Sequence, residues 1–372
     1  LGGKCTLMLC QSIRCISLKR HCACGVGLRL CYASSYATPA VDRLDLANKC
    51  NNRMTQRIYR ILLLYMTALL GGLSLQAGNK VFETDSLFAG MGPNDKGAIL
   101  VVHFGTTHDD TRRVTLDAIN ERIVAAHPEL EVRQAYSSRI VRKRLAARGI
   151  EIPTPGEALK ALASEGFTHL LVVSTTLVDG VEMESLSYEV AHLQQLFKKI
   201  RLVPPLLFYE SDYKDLVSIM TAHLDPDVAY IWVGHGTYDS ATAQYAMLDH
   251  YLQNHGYGQV IVGCVEGYPY YEEALERLRA TGLKRVCLQP LMIVAGEHAK
   301  EDMLQEWQPR LETLGYQVES VVRGLGELPE IQEMILRKVD FFMTHRRLSI
   351  MDKKAIYEET GEKLHKSDSI AR

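Results

Sequence analysis

Three residues in the second half of the chain have types and positions that suit metal chemistry: His235, Glu266 and His298. Each follows an apolar run that breaks into glycine: Ile231-Trp232-Val233-Gly234-His235-Gly236-Thr237, Gly263-Cys264-Val265-Glu266-Gly267, and Pro290-Leu291-Met292-Ile293-Val294-Ala295-Gly296-Glu297-His298. A short apolar run reads as a buried strand, and in an open parallel sheet the carboxyl ends of the strands are where ligands bind. The glycines on either side of His235 leave its side chain uncrowded. Two imidazoles and a carboxylate are borderline ligands, suited to Co2+, Fe2+, Ni2+ or Zn2+. Three protein ligands also leave coordination positions open, as a site that must take up and release an ion requires. An imidazole with a pKa of about 6.5 can accept a proton near neutrality as well. One histidine after a strand is ordinarily structural. The convergence of all three at successive strand ends carries the metal reading.

The rest of the chain must put those strand ends side by side. Apolar runs predict strands over 97–102, 132–136, 169–174 and 202–209, separated by helices over 111–126, 156–165 and 184–199. The pattern then repeats, with strands over 229–233, 259–265, 285–292 and 317–322 and helices over 240–254, 271–281, 301–314 and 329–342. Strands alternating with helices imply a parallel sheet covered on both faces. The expected fold is therefore α/β, with two similar lobes and a cleft between them, the N-terminal lobe over 96–210 and the C-terminal one over 211–345. Val101-Val102-His103-Phe104-Gly105-Thr106 aligns with Trp232-Val233-Gly234-His235-Gly236-Thr237. That places Phe104 opposite His235 and, further on, Glu182 opposite His298. The polar equipment is concentrated in the second lobe, while Glu182 can face the metal path from the first. His103 is expected to pack rather than ligate.

Of the 372 residues, 47% are hydrophobic and 23% charged, as in a soluble globular protein, and a net charge of −2 argues against a nucleic-acid partner. Cys5, Cys10, Cys15, Cys22, Cys24, Cys31 and Cys50 crowd the start of the chain, and only Cys264 and Cys287 fall in the globular part, as small hydrophobes. Residues 1–53 are basic, aperiodic and read as upstream sequence. Residues 54–77 read as a secretory signal, with Arg57 and Arg60 before an apolar core at 61–75 and cleavage after Ala77. That core falls short of the roughly 20 residues that span a bilayer, so no stable membrane insertion is expected. Residues 78–95 read as a linker and 346–372 as a charged tail. Location is expected to be periplasmic or exported, with the cytoplasm as the alternative. No phosphate loop, dinucleotide fingerprint or nucleophile elbow is present.

Lys96-Gly97-Ala98-Ile99-Leu100-Val101-Val102-His103-Phe104-Gly105-Thr106-Thr107 resembles the opening of the anaerobic sirohydrochlorin cobaltochelatases, and the three segments around His235, Glu266 and His298 resemble that family's metal-site segments. The resemblance runs over residues 96–343. It implies the chelatase-like fold of two pseudo-twofold lobes and insertion of Co2+, with Fe2+ also accepted, into the tetrapyrrole sirohydrochlorin in cobalamin biosynthesis. The family's metal ligands fall on His235, Glu266 and His298, with His235 and His298 also the catalytic pair. Some exported members bind haem through a histidine in a Leu-His-Ile-like segment. The matching run here is Thr175-Thr176-Leu177, which leaves haem open. The competing reading is an exported metal- or haem-binding protein without chelatase activity. A homo-oligomer is compatible with either.

Overall fold

A computed structural model describes residues 81–296 and 299–361. The expected upstream segment, signal peptide and end of the tail lie outside the described residues, as do Glu297 and His298. Two four-stranded parallel sheets carry the fold. The first has the order β3-β2-β4-β5, from β2 (Gly97–His103), β3 (Glu131–Tyr136), β4 (His169–Ser174) and β5 (Lys199–Val203). The second has the order β7-β6-β8-β9, from β6 (Val228–Gly236), β7 (Val260–Glu266), β8 (Arg285–Leu291) and β9 (Gln317–Ser320). The order is the same in both, as the repeated pattern predicts. A small antiparallel ribbon pairs β1 (Phe82–Thr84), inside the stretch read as a linker, with β10 (His345–Arg347).

The helices follow in chain order: α1 (Asp109–Arg112), a π-helical turn (Arg113–Asp117), α2 (Ala118–Ala126), α3 (Arg139–Ala146), α4 (Pro155–Ser164), α5 (Val181–Leu193) and α6 (Glu210–Met220). The second half adds α7 (Thr242–Asn254), α8 (Tyr271–Thr281), a π-helical segment (Ala299–Trp307), α9 (Gln308–Thr313), α10 (Pro329–Thr344) and α11 (Ile350–Thr360). Among the described residues no helix is long and apolar enough to cross a membrane.

Both faces of each sheet are buried, which is why the strands read as continuous apolar runs. Ala98, Leu100 and Val102 of β2 pack with Leu159, Leu162 and Leu186. Ala229, Ile231 and Val233 of β6 pack with Leu278, Leu311 and Trp307. The opposite faces, with Ile99 and Val101 on β2 and Tyr230 and Trp232 on β6, belong to one continuous cluster. The two lobes therefore share a core, which fixes their sheets relative to one another.

The fourth strand lies over 199–203, ahead of the expected 202–209. Pro204 and Pro205 lack a ladder donor and stop it. The buried Arg201 disguises it as polar: its guanidinium donates to the carbonyls of Asp85, Phe342 and His345 and pairs with the Asp85 carboxylate at 2.7 Å.

Helix α10 returns from the second half to pack against α2, β5 and α6 of the first. Its buried Lys338 donates from Nζ to the carbonyls of Pro205 and Leu206 and to Asp212 Oδ2, at 2.5, 2.9 and 2.9 Å. Asp212 also accepts the backbone N–H groups of Phe208 and Tyr209. Burial pulls the lysine below its ordinary pKa, opposed by the Asp212 charge. Removing one member of such a pair leaves the other charged and dry. Lys338→Met is expected to cost about 3–5 kcal/mol, read as a lower urea midpoint, and adding Asp212→Asn should recover part of the loss.

Candidate functional site

His235 is the second-last residue of β6, and Glu266 is the last of β7. The two strands are neighbours, and in their register Gly236 stands opposite Glu266. The sequence places His235 after its strand; the strand in fact runs through it. His235 is half-buried and Glu266 exposed. Nδ1 of His235 lies 3.1 Å from its neighbour's carbonyl, Gly236 O. A carbonyl only accepts, so Nδ1 carries the proton and, in the neutral ring, Nε2 carries the lone pair. A metal or a pyrrole proton would be met by that lone pair.

The glycines around His235 have specific tasks. A Cβ on Gly234 would meet the Tyr245 ring at 2.6 Å. At Gly236, where φ is +83°, a Cβ would lie 1.5 Å from the Glu266 carbonyl oxygen. At Gly267, with φ +89°, it would lie 2.3 Å from the Thr237 carbonyl oxygen. The ends of β6 and β7 thus approach backbone to backbone, which brings the His235 and Glu266 positions together. A 2.8 Å hydrogen bond from Thr242 Oγ1 to Tyr268 O closes the same corner.

The chain leading to His298 leaves β8, the other neighbour of β6. Leu325 and Gly326 N–H groups hold that loop through the carbonyls of Met292 and Ile293, at 2.7 and 2.9 Å. His298 itself lies outside the described residues. Two of the three expected ligands are therefore brought to adjoining strand ends. Among the described residues no group of three or more His, Cys, Asp or Glu side chains is poised to hold a metal. The segment directly after His298 is π-helical, a form often found at functional sites.

The first lobe meets this edge. Asp179 N–H donates to Gln244 Oε1 at 2.8 Å, across the lobes. A Cβ on Gly180 would sit 3.5 Å from Thr237 Oγ1 and 3.7 Å from Asp239 Oδ2. Loops leaving the carboxyl ends of β4 and β6 therefore touch. Partial burial pushes the Asp179 carboxyl up, opposed by Arg347 and reinforced by Asp239. Glu182 sits half-buried in the first turn of α5, beside this contact. Phe104, Tyr238 and Tyr268 present exposed rings at the ends of β2, β6 and β7. A surface depression of ≈ 530 Å³ involves Pro226, Gln259 and Leu283, at the amino ends of β6, β7 and β8, so it lies on the edge away from His235.

His103 packs, as expected. It is fully buried, with Nδ1 2.9 Å from Thr175 Oγ1 and Nε2 3.1 Å from Asn120 Oδ1. Asn120 spends its amide N–H on Gln134, so its oxygen faces the ring and Nε2 is the protonated nitrogen. Burial pushes the imidazole down from 6.5 to about 4. Between those pH values the unfolded chain binds a proton that the folded chain does not. Stability that is complete above pH 6.5 is then lost as pH falls toward 4, by about 3 kcal/mol. Denaturant titrations should show His103→Gln flattening that slope. Cys264 and Cys287 are buried free thiols, as their apolar surroundings imply, and burial pushes Cys287 up to about 11.

Residues 97–343 match the family described as cobalt chelatase (CbiK). Over 249 residues the chain is 34% identical to a sirohydrochlorin cobaltochelatase of Salmonella typhimurium, covering 65% of this chain and 94% of that protein. It is 31% identical over 245 residues to the sirohydrochlorin cobaltochelatase CbiKC of Nitratidesulfovibrio vulgaris, covering 63% and 86%. Among solved structures, SirB from Bacillus subtilis with Fe3+ aligns at 16% identity and a TM-score of 0.48, over 67% of this chain and 96% of its own. With 247 consecutive positions inside one family description, this chain belongs to the cobalt chelatase (CbiK) family.

Proposed function

We propose that this chain is a sirohydrochlorin cobaltochelatase. The reaction is an exchange: the macrocycle gains Co2+ and releases the two protons of its pyrrole nitrogens. The observation that carries the reading is the placement of His235 and Glu266 on adjoining strand ends of the second sheet, within a chain of this family. Nε2 of His235 serves first as a perch for the ion and then as the acceptor for a pyrrole proton. Glu266 supplies the negative charge that draws the cation and steadies the imidazolium. His298, which the chain reaches after leaving β8, is the third ligand in this reading. The perch must be loose because the ion has to leave it, and three ligands suit that better than a closed cage of four. Fe2+ fits the same nitrogen and oxygen donors and is a second substrate metal in this reading.

The test is absorbance of sirohydrochlorin with Co2+, with and without the purified full chain. Metallation clearly faster than the protein-free rate is expected; equal rates would leave a binding protein. Export belongs to the same reading, on the strength of the charged start and apolar core of residues 54–77. Fractionation of cells expressing the chain should find it outside the cytoplasm, and a wholly cytoplasmic chain would overturn that part.

A further inference from the structure

We propose that helix α3 is the anchor for the carboxylate side chains at the rim of the tetrapyrrole. The inference rests on the chelatase reading and names the part of the first lobe that recognises the substrate's charge.

Helix α3 begins where β3 ends. Ser137 and Ser138 N–H groups donate to the carbonyls of His103 and Phe104, at 2.9 and 3.2 Å, so the helix starts beside the carboxyl end of β2. Ser138 Oγ caps it by accepting the Val141 N–H. Five basic residues lie on or just past it: Arg139, Arg142, Lys143, Arg144 and Arg148. Two are engaged. Arg142 donates to Ile152 O and Glu157. Arg148 donates to Thr107 O at 2.7 Å and pairs with Asp109, which holds the helix along the loop that follows Phe104.

The other three, Arg139, Lys143 and Arg144, are exposed, and among the described residues none pairs with an acid. They stand one and four positions apart on the outer face, around Ile140, which is 67% exposed. Like charges at that spacing destabilise a helix, so folding alone does not favour the arrangement. An anionic ligand does.

Location narrows the ligand. Phe104, 45% exposed, directly follows β2 and aligns in sequence with His235 of β6. It offers an apolar face to a flat ring, and the helix that carries the unpaired cations starts beside it, where Ser138 N–H donates to Phe104 O at 3.2 Å. Sirohydrochlorin is such a ring, with acetate and propionate groups around its edge. The second lobe's edge carries acids, Glu266 and Asp239, which favour a cation. The acids at the strand ends thus draw the metal, and α3 supplies the cations that hold the carboxylates.

The test compares the full chain with an R139Q/K143Q/R144Q variant. The KM for sirohydrochlorin should rise about tenfold or more, from the loss of charge-assisted contacts, with the change carried by KM and not kcat. Raising ionic strength should raise KM in the parent and much less in the variant. Sirohydrochlorin with its carboxylates esterified should not distinguish the two proteins. A variant that keeps the parent's thermal melt, KM and salt dependence overturns the proposal. If the parent fails to metallate, the chelatase reading falls separately, and titration of sirohydrochlorin absorbance then decides. Weaker binding by the variant supports the anchor; equal binding overturns it.

Discussion

His235→Ala is expected to slow Co2+ insertion about 10²- to 10⁴-fold, the range set by a positioned proton acceptor. The loss has two sources in one atom. Nε2 gives the ion a nitrogen ligand, and the same lone pair takes a pyrrole proton once the ion has moved on. His235→Gln keeps a polar side chain of similar reach but not the basicity of the imidazole, so its rate should stay near that of the alanine variant. Folding should survive both changes. The ring is only half-buried, and one of its contacts is a local hydrogen bond to the adjacent carbonyl. Equal melts with a collapsed rate would place the effect in the chemistry. Parent-like rates in both variants would remove His235 from the mechanism.

Gly236→Ala is the second large effect, and it acts through the backbone. Any side chain at φ +83° carries a conformational cost of about 1–2 kcal/mol. Here the added methyl would also lie 1.5 Å from the Glu266 carbonyl oxygen and 2.9 Å from Cys264 Cβ. Neither atom is the end of a flexible chain, so β6 and β7 must separate at their carboxyl ends. A total loss of about 3–5 kcal/mol is expected in urea unfolding, typical of a broken close contact rather than of a surface change. Gly256 is the control. Its φ is +87°, but nothing lies within 4 Å of its Cβ. Gly256→Ala should show the conformational cost alone, about 1 kcal/mol. If the two variants lose equal stability, the close approach of the two strand ends is not what Gly236 serves. Whatever folded Gly236→Ala remains should also metallate slowly, because His235 and Glu266 would no longer share one corner.

The elements legible from sequence were those whose partners are local or uniform. The 169–174 strand and the 271–281 helix have the bounds their patterns predict, because one is an unbroken apolar run and the other stops at Gly282 in a left-handed conformation. β5 was displaced because Arg201 looks solvent-bound until Asp85 and the end of α10 are seen to satisfy it. β1 was hidden because its partner, β10, lies at the other end of the globular chain. α3 carries no legible pattern for a different reason: Val141 and Leu145 are too few to make an apolar stripe among its basic residues. At the site, His235 and Glu266 were legible as polar residues at strand ends. The reason for the glycine between them was not, since it depends on a backbone carbonyl from the next strand.

The most direct measurement is a Co2+ titration of the full chain followed by the visible ligand-field bands of the ion. One Co2+ per chain, with bands typical of nitrogen and oxygen donors, is expected for the parent. His235→Ala/His298→Ala should abolish the bands, and added sirohydrochlorin should draw the ion out of the parent into the macrocycle. An unchanged spectrum in the double variant, or a parent complex that sirohydrochlorin cannot discharge, would contradict an ion held at the carboxyl edge of the second sheet on its way to the ring.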